Sequence, residues 1–147
     1  MKEILMRAMT EKDIASVVAI EKASFSLPWS ETAFKKELYR VRSIPKVAEL
    51  DGAVIGYVCV DYVLDEGHIL NLAVHPDYRK RGVATVLVRV ALEELKLKGC
   101  RFVYLEGRAS NHTAIMIYRR LGFTVVGERK KYYVSPVEDA VIMMREL

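Results

Sequence analysis

Leu70-Asn71-Leu72-Ala73-Val74-His75-Pro76-Asp77-Tyr78-Arg79-Lys80-Arg81-Gly82-Val83-Ala84-Thr85 is the stretch on which the fold turns. Ile69 to Val74 continues a sheet, and His75-Pro76 ends it. Beyond that point the apolar period lengthens from two to about 3.6, with Val83, Val86, Leu87, Val90, Ala91 and Leu95 in one stripe that Gly99 closes at the expected C′ position. A strand that hands over to a long helix through a basic turn brings unpaired N–H groups and the positive end of the helix dipole to one corner. Such a corner attracts phosphate. Gly82 lets the backbone approach closely, Ala84 keeps the next turn small, and Arg79, Lys80 and Arg81 supply charge. Both the P-loop and the GxGxxG fingerprints are missing, so a P-loop NTPase or a Rossmann dehydrogenase would lack its defining residues. Taken alone, the loop reads either as an anion cradle or as a solvated basic turn that caps a helix.

On the N-terminal side, Ile4 to Met9 reads as a strand, and Thr10 with Asp13 forms a helix-opening box before the apolar spacing of Ile14, Val17, Val18 and Ala23. Ser24-Phe25-Ser26-Leu27-Pro28-Trp29-Ser30 breaks that helix, and Ser30 caps a second one carrying Ala33, Phe34 and Leu38. Val47 to Leu50 and Ala53 to Val63 pair as a hairpin through Asp51-Gly52, a type I′ turn dipeptide. On the C-terminal side, Phe102 to Glu106 is a strand. Asn111 caps a helix whose inner face holds Ala114, Ile117, Tyr118 and Leu121, and Phe123 to Gly127 and Ala140 to Met144 supply two last strands. The order β-α-α-β-β-β-α-β-α-β-β, without repeat or linker, predicts a single mixed α/β (α+β) domain over 1–147.

With 147 residues, 52% hydrophobic and 29% charged, the chain has the makeup of an ordinary globular domain, which excludes disorder as its main theme. No apolar run approaches the ~18 residues of a membrane span, and Met1 to Arg7 has neither an apolar h-region nor a cleavage site, so a soluble, cytoplasmic protein is expected. Cys59 and Cys100 sit in apolar stretches without CxxC spacing and read as two buried thiols, a disulfide being the alternative. The net charge of +4 is concentrated in Arg79-Lys80-Arg81, Arg119-Arg120 and Arg129-Lys130-Lys131. Such clusters suit a small polyanionic ligand as well as a nucleic acid backbone. His68, His75 and His112 have no HxxxH or HxH spacing, so no metal is expected.

In its surroundings the loop says more. Arg79-x-x-Gly82-x-Ala84 after a strand resembles the Gln/Arg-x-x-Gly-x-Gly/Ala acetyl-CoA motif of the GNAT N-acetyltransferases. Further matches run along nearly the whole chain: Phe25-x-x-Pro28-Trp29-Ser30, Leu64-Asp65-Glu66, Leu70 to Tyr78, Leu105-Glu106-Gly107-Arg108-Ala109-Ser110-Asn111, Ala114-Ile115, Tyr118, Leu121-Gly122-Phe123, Tyr132-Tyr133 and Glu138-Asp139-Ala140. That ordered set resembles the RimI-type branch, the protein N-terminal acetyltransferases.

The resemblance implies a GNAT fold: a mixed, mostly antiparallel sheet of about seven strands with four helices, splayed between the fourth and fifth strands. It implies that backbone groups of Leu72, Ala73 and Val74 hold the pantetheine arm and acetyl carbonyl of acetyl-CoA. The loop Arg79, Lys80, Arg81, Gly82, Val83, Ala84 and Thr85 would then hold the pyrophosphate, with Asn111 also touching the co-substrate. Glu106 is implied as proton acceptor and Tyr118 as proton donor to the departing thiolate. The implied substrate is the N-terminal alanine of small-subunit ribosomal protein eighteen, with no metal and no direct contact with nucleic acid or membrane. The chain departs from the family at Gly107, where valine usually follows the glutamate, which bears on rigidity and pocket width beside the base. A looser N-acetyltransferase acting on other protein N-termini, lysines or small amines is the alternative, and an RNA- or ribosome-binding module of the same fold the rival from another class.

The residues are compatible with that chemistry. Only a neutral amine attacks a thioester, and at pH 7 a peptide α-amine (pKa roughly 7.7–8.0) is about a tenth neutral, against about four parts in ten thousand for lysine (roughly 10.4). This favours an α-amine by about 3 kcal/mol. Glu106 at a strand end can collect the surplus proton, directly or through an ordered water, if a half-apolar cleft raises its pKa. Tyr118 shares its helix face with Ala114 and Leu121 and reads as a core tyrosine with its hydroxyl at the rim. Full proton transfer from phenol to a thiolate is uphill by roughly 2 kcal/mol. Hydrogen-bond stabilisation of the thiolate is therefore expected, with transfer late or helped by a lowered tyrosine pKa. Neither cysteine has an activating histidine, which argues against an acetyl-cysteine route. Phe25, Trp29, Tyr132 and Tyr133 are candidates to wall a slot for the peptide N-terminus.

Overall fold

In the computed structural model, which describes residues 3–147, the strands are β1 (Leu5–Ala8), β2 (Ser43–Leu50), β3 (Ala53–Val63), β4 (Glu66–Val74), β5 (Phe102–Arg108), β6 (Thr124–Val134) and β7 (Val137–Glu146). The helices are α1 (Ile14–Ser24), α2 (Glu31–Tyr39), α3 (Val83–Leu97) and α4 (His112–Arg120). Two short 3-10 turns, Glu11–Asp13 and Pro76–Tyr78, lead into α1 and the basic loop. The succession is the one read from the sequence; Met1 and Lys2 lie outside the described residues.

One sheet holds all seven strands in the order β1-β2-β3-β4-β5-β7-β6. Every pairing is antiparallel except β4 with β5, which is parallel and bridged by α3. That parallel pairing runs only from Glu66↔Phe102 to Ile69↔Leu105. Leu70 to Val74 therefore have no ladder partner on the β5 side, and the sheet splays there as expected. A bulge against β3, between Cys59↔Asn71 and Val60↔Ile69, leaves Leu70 as the extra residue. Leu70 and Asn71 consequently both serve the α1/α2 face: Leu70 packs into that core, and Asn71 hydrogen-bonds α1.

Two cores flank the sheet. Val17, Phe34, Val47 and Tyr57 pack under α1 and α2, whereas Leu87, Ala91, Leu95 and Val103 pack under α3 on the other face. Gly67 makes the second contact close, because a Cβ there would stand 2.8 Å from Leu95 Cδ1.

The hydrophobic spacing errs in two places. On α3 the buried row is Val83, Leu87, Val88, Ala91, Leu92 and Leu95, while Val86 is exposed and Val90 half-buried. Every candidate on that helix is apolar, so period alone could not fix its rotation. On α1, Ala23 is exposed and Glu21 takes the inward place at 1% exposure. Its carboxylate accepts hydrogen bonds from the Tyr57 hydroxyl, the Asn71 amide (2.8 Å) and the Trp29 backbone N–H (2.8 Å). Three donors make burial of this charge tolerable. The last hairpin is also longer than the apolar runs suggest, because β6 is an edge strand with mostly exposed residues.

Candidate active site

Two cavities meet at the splay. The first, about 560 Å³, is walled by Leu72, Ala73 and Val74 of β4, by Arg79, Lys80, Gly82, Val83, Ala84 and Thr85 of the basic loop and α3, and by Asn111 and Tyr118. The first intrahelical bond of α3 is Val86 N–H to Gly82 O (3.2 Å), which leaves the N–H groups of Val83, Ala84 and Thr85, residues that line this cavity, without an intrahelical partner. Gly82 caps the helix at φ 81°, and a Cβ on it would meet nothing within 4 Å. It is thus required for its backbone angle, and the space beside it is free for an anion.

The three cations of the loop have different surroundings. Arg79 is a strut: its Nε donates to Val74 O (3.0 Å) and its Nη2 to Ser24 Oγ (3.0 Å), tying the loop to β4 and to the end of α1. Arg81 is absent from the wall and lies 5.5 Å from the Tyr78 ring centroid. Lys80 and, from α4, Arg120 remain on the wall as charges for a phosphate.

The second cavity, about 610 Å³, lies on the α1/α2 side and is walled by Phe25, Trp29, Glu106, Gly107, Tyr132 and Tyr133, among others. All four candidate slot aromatics are therefore brought together. Trp29 packs on Phe34 with centroids 5.2 Å apart, and the rings of Tyr132 and Tyr133 meet edge to face at 5.1 Å. Across the slot, Ser26 Oγ of the α1–α2 connector donates to Ser135 O of the β6–β7 turn. Arg108 steadies that turn through Pro136 O (2.9 Å), Ser135 O (3.2 Å) and Glu138, and lies 4.4 Å from the Tyr133 ring centroid. A Cβ on Gly107 would touch nothing within 4 Å, so the slot is open beside Glu106.

Leu72, Asn111, Ala114 and Tyr118 border both cavities. Asn111 caps α4 by accepting the Ala114 N–H (3.2 Å). Tyr118 is 9% exposed with its ring against Phe123. Burial, and then the neighbouring Tyr133, push its pKa above the ordinary phenol value. The expected alternative of a lowered tyrosine pKa is thus overturned: a phenol in an apolar wall resists ionising. Burial likewise raises the pKa of the Cys59 and Cys100 thiols, which are free and buried, so both stay protonated and unreactive.

Sequence reasoning missed two groups. Glu21 has no signal beyond its place among apolar neighbours. His68 was weighed only as a metal ligand; its Nε2 lies 2.6 Å from Glu106 Oε2. Among the described residues no group of three or more histidine, cysteine, aspartate or glutamate side chains could hold a metal, and no helix is long and apolar enough to cross a membrane.

A helix N-terminus flanked by Lys80 and Arg120, an unpaired strand edge beside it and an adjoining slot that bears a carboxylate thus meet at the splay. The chain belongs to the acetyltransferase (GNAT) family, which it matches over residues 14–123. It is therefore an acetyltransferase that uses acetyl-CoA. It is 34% identical to the [ribosomal protein bS18]-alanine N-acetyltransferase of Salmonella typhimurium over 138 residues, 92% of each chain. A Bacillus subtilis protein that carries this name provisionally is 39% identical over 139 residues, 94% of this chain and 92% of that one. The crystal structure of the Escherichia coli ribosomal-protein-alanine N-acetyltransferase is similar with a TM-score of 0.90 and 31% identity, covering 98% of this chain and 94% of that one.

Proposed function

We propose that the chain transfers acetyl from acetyl-CoA to the N-terminal α-amine of a protein, and that its substrate is the N-terminal alanine of ribosomal protein bS18. The names of the relatives at 34–39% identity support the substrate. The observation that carries the chemistry is the shared wall: Tyr118, Leu72 and Asn111 border both cavities, while Glu106 borders only the acceptor slot.

Acetyl-CoA supplies a thioester-activated acetyl group, and the protein positions it. The edge of β4 at Leu72 to Val74, apart from the Val74 carbonyl that Arg79 already engages, offers backbone hydrogen bonds to the pantetheine arm and acetyl oxygen, and the α3 N-terminus holds the pyrophosphate. From the opposite face the peptide enters between Phe25, Trp29, Tyr132 and Tyr133. Glu106 takes the surplus proton of the amine, and the Tyr118 hydroxyl donates a hydrogen bond to the departing sulfur. Its raised pKa makes Tyr118 a hydrogen-bond donor first and a proton donor only late in the step. With both thiols buried, the acetyl group passes directly from donor to amine.

An alanine-first peptide and its N-blocked, lysine-bearing twin test the reading. Acetylation of the first alone is expected; equal acetylation of both would replace it with the looser amine acetyltransferase, which the open space at Gly107 favours. Glu106→Gln is expected to cut kcat at neutral pH by ~10²-fold with KM for acetyl-CoA retained, and to recover in part at high pH, where the amine deprotonates unaided. An unchanged pH profile would remove Glu106 from the role.

A further inference from the structure

His68 stands outside the slot yet touches the group that the proposed chemistry needs most. It sits on β4 opposite Tyr104 of β5 in the parallel register, one position short of the bulge. Residues 104 and 106 alternate to the same face of β5, which brings the imidazole diagonally onto Glu106, with Nε2 to Oε2 at 2.6 Å. The imidazole is 38% exposed and the carboxylate 16%. No other side-chain hydrogen bond reaches Glu106 among the described residues.

We propose that His68 is the positioning residue of the base. An ionised carboxylate only accepts hydrogen bonds, so the shared proton is on Nε2, whether the ring is neutral or cationic. The donated N–H occupies Oε2 and fixes the carboxylate plane. Oε1 is left as the oxygen that takes the proton of the attacking amine. His68 never meets the substrate and acts only through Glu106, in the way that a histidine-bound carboxylate orients catalytic groups elsewhere.

The surrounding charges are already committed, which leaves the imidazole to Glu106. Asp61, directly across on β3, is held by Arg40 at 2.8 Å. From the α2 side, Glu37 is bound to the same Arg40 (2.6 Å) and to Ser43 (2.6 Å), and from α1 Glu21 is saturated by its three donors. On the sheet itself Tyr104 of β5 lies directly across from His68 and Glu66 two residues before it on β4, while Tyr133 of β6 lines the slot with Glu106.

The inference rests on Glu106 acting as base, and the experiment separates the two. Steady-state kcat and KM for acetyl-CoA and for an alanine-first peptide are measured for the wild type, His68→Ala, His68→Gln, Glu106→Gln and the His68→Ala/Glu106→Gln double variant. Expected are a roughly tenfold fall in kcat for His68→Ala with KM for acetyl-CoA unchanged, and recovery to within about threefold in His68→Gln, whose amide N–H can reach the same oxygen. The double variant should be no slower than Glu106→Gln alone, because the histidine has nothing left to orient. Wild-type kcat in His68→Ala, no recovery in the glutamine variant, or additive losses in the double variant would each overturn the positioning role while leaving Glu106 as base. A Glu106→Gln enzyme as fast as the wild type would instead overturn the base.

Discussion

Gly82 concentrates the logic of the donor cavity in one residue. It caps α3 at a positive φ that a residue with a Cβ adopts at a cost of about 1–2 kcal/mol, but a side chain there would meet no protein atom within 4 Å. Gly82→Val is therefore expected to fold while raising the acetyl-CoA dissociation constant at least tenfold, measured by calorimetric titration. Unchanged affinity would move the pyrophosphate elsewhere. The residue was legible in the sequence because the turn must sit between a strand and an amphipathic helix. Arg79 was legible only as a charge. Its hydrogen bonds to Val74 O and Ser24 Oγ depend on where the end of α1 lies, and nothing local encodes that. The same holds for His68 and Glu106, 38 residues apart and joined by strand register alone.

Elements were readable where pattern and cap agreed. Ser30 accepts the Ala33 N–H and Asn111 the Ala114 N–H, as their places before apolar helices imply, and Asp51 and Gly52 both take the positive φ of a tight hairpin turn. Reading failed on α3, whose apolar surplus hides its rotation, and on α1, where Glu21 faces inward. The seating of α3 gives a sharp test: Gly67→Ala pushes a methyl against Leu95, and a loss of about 1–3 kcal/mol is expected in urea unfolding. At the start of α1, Arg7 donates two 2.8 Å hydrogen bonds to Asp13, which is 5% exposed, and thereby lowers the carboxyl pKa. A depressed folded pKa stabilises above the unfolded value of roughly 3.9 and is lost as pH falls through the folded one. Unfolding free energy should therefore drop as pH falls below about 4, and Asp13→Asn should flatten that part of the curve.

For the whole molecule the decisive feature is that the two halves of the sheet share only the four pairs from Glu66↔Phe102 to Ile69↔Leu105. On the proposed function a donor lodged in the gap would touch both halves and bind only the folded chain. At 100 times its dissociation constant, acetyl-CoA should stabilise by about 2.7 kcal/mol, raising Tm by roughly 5–10 °C in a chain of this size. An unmoved Tm would argue against a site spanning the splay.

Two adjoining cavities at the gap also allow two doors. On the proposed function the nucleotide would take the cavity at the α3 N-terminus and the peptide the slot beside Glu106, so neither would have to vacate a passage for the other. Both reactants can then be aboard together, and initial-rate plots should intersect instead of running parallel. CoA should compete with acetyl-CoA but not with the peptide.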